Sequence, residues 1–126
     1  MIQAKDLRAG NLVFENTFNM GNGNYEGVPI VVNGNIIKTI ELSPTLHAYS
    51  PIPLSPDILE RCGFVTVNKD KFSDKFAYAF KENEHHFKFY PPNTLYWHGY
   101  PLNVEYLHQL QNLYFALTGE ELTITL

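Results

Sequence analysis

The order of apolar and polar positions along the 126 residues reads as strands first, with two helices inserted. Residues 10–14 (GNLVF) are a short apolar run after a polar lead-in, suited to a first strand. Residues 16–27 are rich in Asn and Gly, which predicts a loop or a wide hairpin connection. Two runs rich in β-branched residues, 28–32 and 36–42, flank Asn33-Gly34. An Asn-Gly pair in that setting predicts a tight hairpin, because both central residues of a type I′ turn need positive φ. Residues 43–53 hold three prolines and cannot continue a central strand, since proline lacks the ladder donor.

A short helix follows in 55–62. Ser55 is a good N-cap, Pro56 suits the first helical position, and Asp57 favours the positive end. Leu54 and Leu59 stand where a hydrophobic staple places them, and Gly63 can stop the helix in a left-handed conformation. Residues 64–67 then predict a strand. Residues 76–80 (FAYAF) alternate large and small side chains, 81–84 make a polar turn, and Phe87 and Phe89 resume the alternation until Pro91-Pro92 breaks it. Residues 94–98 add a further strand. The last quarter holds a longer helix, with Leu107, Leu110, Leu113, Tyr114 and Leu117 at helical spacing and Gly119 as its stop. Leu122, Ile124 and Leu126 alternate with Thr123 and Thr125, which predicts a terminal strand. The expected fold class is α+β in a single domain over 1–126. Its core would be a mainly antiparallel twisted sheet, open or partly closed into a barrel, with one short and one longer helix packed on it.

Composition narrows the classes. With 44% hydrophobic and 17% charged residues, the chain is no disordered tail, collagen-like fibre or coiled coil. The single Cys62 excludes an internal disulfide framework and a cysteine-based zinc finger. Nine basic residues against 13 acidic ones give a net charge of −4, which disfavours bulk binding to a phosphate backbone. Five of the seven lysines lie between Lys69 and Lys88, yet acidic residues are interleaved with them. The first residues carry no apolar leader, and no window approaches the length of a membrane span. The expectation is a cytoplasmic protein that does not enter a membrane.

Little in the chain carries catalytic chemistry. The histidines are His47, His85, His86, His98 and His108, without a metal-binding spacing among them; neighbours such as His85 and His86 would point to opposite faces of a strand. Cys62 falls at the negative end of a short helix, where a thiolate is disfavoured, and reads as a small core residue. Glu82 with Glu84 and Glu120 with Glu121 are solvated pairs with no apolar pocket implied around them. No nucleophile elbow, phosphate-binding loop or dinucleotide fingerprint occurs. The expectation is therefore no enzyme, no metal and no cofactor. One constellation points to single-stranded nucleic acid. Phe76, Tyr78, Phe80, Phe87 and Phe89 could stack bases while Lys81 and Lys88 meet phosphates. The competing reading makes the same aromatics the core face beneath a helix.

Three segments carry a resemblance: LRAGNLV at 7–13, YSPIPL at 49–54 with the short helix after it, and YLHQLQNLYFALTG at 106–119. In this order they resemble a family of small uncharacterised proteins from Bacteroides-type gut bacteria and their phages or mobile elements. The resemblance implies a bacterial or phage cytosolic setting and no particular activity. The last segment also has a physical peculiarity. Between Tyr106 and Thr118 there is no Lys, Arg, Asp or Glu, although ordinary solvated helix faces carry charge. The stripe of His108, Gln109, Gln111 and Asn112, with Phe115, is thus either a contact surface for a protein partner, including a second copy of the chain, or a row of amides bonded to the domain's own backbone.

Overall fold

The computed structural model describes residues 2–19, 21, 24–43, 48–67, 77–80, 87–90, 93–98 and 100–125; the side chains of 17–19, 24–26, 66–67 and 77–80 lie outside that description. The chain is α+β, and its strand pairings are antiparallel throughout the described residues. It groups into two compact units. One comprises Met1–Pro53 and Tyr106–Thr118, the other Leu54–Glu105 and Gly119–Leu126.

In the first unit a 3₁₀ turn, Ala4–Asp6, precedes β1 (Leu12–Asn19), β2 (Asn24–Val31), α1 (Gly34–Leu42) and β3 (Tyr49–Ser50). The sheet order is β2-β1-β3. Val13, Val32 and Ile40 are buried together, with Leu7, Ile30 and Ile37 packed against them. Val32 exchanges both of its backbone hydrogen bonds on the β1 side, accepting from Gly10 N and donating to Asn11 O. Because bonding directions alternate along a strand, Pro29 turns its missing N–H to the free edge of β2, where no ladder bond is lost. The unit is completed by α3 (Leu107–Thr118), which returns more than fifty residues later to lie against β1.

In the second unit, α2 (Pro56–Arg61) leads into a five-stranded meander: β4 (Phe64–Val67), β5 (Ala77–Phe80), β6 (Phe87–Tyr90), β7 (Thr94–Trp97) and β8 (Tyr100–Asn103). The outer strands β4 and β8 are not paired with each other, so the sheet is open and not a barrel. Ser55 caps α2 as expected, accepting from Ile58 N at 3.2 Å. Leu59, Cys62, Phe64, Phe87, Phe89 and Leu95 are buried. Along β6 the alternation is clean, with Lys88 exposed between its two buried neighbours.

Four expectations are corrected. The hairpin at Asn33-Gly34 is a helix start instead. Asn33 is extended (φ −123°, ψ 177°), and its side chain accepts from Ile36 N at 2.9 Å as an N-cap. The run IIKTIEL places Ile36, Ile37 and Ile40 on one helical side, a period that a strand cannot satisfy. The described residues accordingly hold three α-helices where two were expected. The Asn- and Gly-rich stretch 16–27 is largely strand, with Asn16 to Asn19 paired in register with Asn24 to Gly27. The terminal alternation forms no strand over 121–125; Leu122 is buried, Thr125 N donates to Arg61 O at 3.0 Å, and Arg61 Nη1 donates to Thr125 O at 3.4 Å. Residues 100–103, with no strand expected, form β8. Trp97 pairs with Tyr100, and His98, in the turn after Trp97, takes the positive φ (49°) usually given to Asn.

Candidate functional site

The uncharged helix α3 organises the most developed side-chain network in the described chain. Its first turn is closed locally. Tyr106, just before the helix, donates its N–H to the Gln109 side-chain oxygen at 3.1 Å, which is half of a capping box built with Gln at the third helical position. Leu107 N donates to Ile52 O at 2.8 Å, so the YSPIPL segment supplies an acceptor to the helix start. Gln109 is exposed, and this cap accounts for its side-chain oxygen.

One turn further along, Gln111 is only 3% exposed. Its Oε1 accepts from Leu12 N at 2.8 Å and its Nε2 donates to Gly10 O at 3.2 Å. A strand presents the C=O of one residue and the N–H of the residue two further on along the same edge. The primary amide, with one acceptor and a donor, fits that pair as a neighbouring strand residue would. Gln111 thus continues the hydrogen bonding of β1 where no strand reaches. Asn112 works beside it. Its Oδ1 accepts from Asn11 Nδ2 at 2.8 Å, and its Nδ2 donates to Asp6 O at 3.0 Å.

The receiving segment is shaped for this. Asn11 N donates to Arg8 O at 3.0 Å, and the fully buried Asn11 side chain accepts in return from Arg8 N at 2.7 Å. Gly10, between them, has φ +98°, which the third residue of a type II turn requires and an L side chain resists. The same turn brings Arg8 to α3, with its guanidinium carbon 4.4 Å from the centre of the Phe115 ring. LRAGN and HQLQN, about a hundred residues apart in sequence, are therefore one hydrogen-bonded unit.

The expected stripe consequently divides. Gln111, Asn112 and His108 serve the interior, whereas Gln109 and Phe115 (40% exposed) face solvent together with Ala116. His108 is 5% exposed, its ring stacked on Tyr106 at 5.9 Å and 9° between planes. Its Nδ1 is enclosed and has no hydrogen-bond partner among the described residues. Burial holds the imidazole below its ordinary pKa of 6.5, and the Asp6 carboxylate offsets part of that.

The other candidates are placed as follows. Phe87 and Phe89 are 2% and 1% exposed and belong to the core of the second unit, so neither ring can stack on a base as the unit stands. Tyr78 and Phe80 lie on β5, with Tyr78 in register with Phe89, but their side chains are outside the described residues, as are Phe76 and Lys81 altogether. Lys88 is exposed opposite Tyr96, which meets Tyr90 edge to face at 5.3 Å. Burial pushes the Cys62 thiol up to about 12, so it stays protonated at neutral pH. His98 is exposed on its turn; His47, His85, His86, Glu82 and Glu84 lie outside the described residues. Among the described residues no three His, Cys, Asp or Glu side chains come together as a metal site would need, and no helix is long and apolar enough to cross a membrane. Sequence reasoning missed Asn11 and Gly10, whose partners are too remote in the chain for any local pattern to announce.

No protein-family model, curated protein or solved structure matches the chain.

Proposed function

We propose that this protein is a non-enzymatic protein-interaction module that docks a partner on the outward side of α3, with a second copy of the chain as the partner. The observation that carries the reading is the contrast between the two sides of one helix. Twelve residues hold no charge, the inward amides are all explained by the N-terminal segment, and yet the outward side exposes Phe115 and Ala116 where a solvated helix would carry Lys or Glu. Arg8 over Phe115 adds a cation at the rim, an arrangement common where aromatic and Arg side chains concentrate binding energy. A phage or mobile-element setting is the companion proposal and rests on the resemblance of the three segments that meet around this helix.

The test is the solution mass by light scattering during size-exclusion chromatography, at low and high salt. A mass near twice 14.5 kDa that persists in high salt supports the reading, because an uncharged contact is scarcely screened. A monomer at all accessible concentrations overturns self-association. A mass that falls with added salt points to a charged surface and away from α3.

A further inference from the structure

We infer that His108 is a pH-sensitive latch, holding α3 on the N-terminal segment while neutral and loosening it when protonated. This concerns the inward side of the helix and does not depend on what the outward side binds. Four observations converge. His108 is almost fully buried. Its Nδ1 has no acceptor among the described residues, so protonation there would create a buried donor with nothing to bond. It occupies the second position of α3, where the positive end of the helix dipole opposes a further positive charge. It also stands three and four residues before Gln111 and Asn112, on the helix side that carries the bonds to Gly10, Leu12, Asn11 and Asp6.

The charged groups that could rescue the imidazolium are few. α3 has none of its own. From the elements against it, Asp6 on the 3₁₀ turn attracts the proton, whereas the Arg8 guanidinium is held over Phe115, seven residues further along the helix. Tyr106 offers only a stacked ring. Desolvation outweighs Asp6, and the folded protein takes up the proton less readily than the unfolded chain does. Between pH 6.5 and the lower folded value the unfolded state binds more protons, so stability falls as pH falls through that window and is fully retained above it. The loss begins where the charge would sit. Opening of α3 therefore precedes opening of the second unit's sheet.

Amide hydrogen exchange on the full chain at pH 7.5 and 5.0, corrected for intrinsic rates, reads this directly. Expected is a fall in protection for α3 and for the Leu12 amide, with β6 and β7 unchanged. In His108→Gln the fall disappears. Should that variant not fold, the wild-type imidazole is followed by NMR: a midpoint below 6.5 that drops further in Asp6→Asn supports the latch. A midpoint at or above 6.5, protection that does not change with pH, or an equal fall in His108→Gln overturns it.

Discussion

Gln111 does what no other residue type could do at its position. Its amide supplies an acceptor to Leu12 N and a donor to Gly10 O at once, and replacing it by Leu leaves both backbone groups without partners in a part-buried site. Each orphaned group costs about 1–3 kcal/mol, so Gln111→Leu is expected to lose about 2–4 kcal/mol in urea unfolding. Gln111→Glu keeps the acceptor but opposes a carboxylate to Gly10 O, and its penalty is expected to grow as pH rises above the glutamate's own titration. Cys62 offers a second check at this scale. With its thiol pushed up to about 12 by burial, alkylation by iodoacetamide should proceed only as fast as the protein unfolds. Labelling of the native protein at the unfolded-chain rate would show an open site.

At the scale of elements, legibility followed whether the signals were local. Ser55, Pro56 and Gly63 announced α2 because caps act within one turn, and β6 showed itself because burial on one side imposes a period of two. The longer helix was readable from its apolar spacing, and Gly119 ends it with φ +76°. Asn33-Gly34 misled because Asn serves turn and N-cap alike; only the spacing of Ile36, Ile37 and Ile40 distinguishes the two, and β-branched residues masked it. β8 stayed hidden because His98 fills a turn position that normally advertises itself with Asn. Asn33→Ala should therefore destabilise the protein by about 1 kcal/mol through loss of the α1 cap, with Asn33→Asp close to neutral. A β-turn at this site would instead be insensitive to losing the capping oxygen, and equilibrium denaturation of both variants separates the two.

For the whole molecule, the candidate surface was half legible. The absence of charge in α3 was visible in the sequence, but which amides turn inward depends on Asn11 and Gly10, about a hundred residues away, and long-range pairing leaves no periodic trace. The resulting division of labour is the centre of the account: inward amides hold the helix, outward Phe115 and Ala116 remain for a partner. It is tested most directly by measuring mass and urea midpoint together for Phe115→Lys and Ala116→Glu, each of which puts a charge on the exposed side. Both variants are expected to lose association, with stability changed by no more than about 1 kcal/mol, the larger share in Phe115→Lys where the Arg8 contact is lost. Dimers that persist in both variants, or stability that collapses in Ala116→Glu, would contradict it.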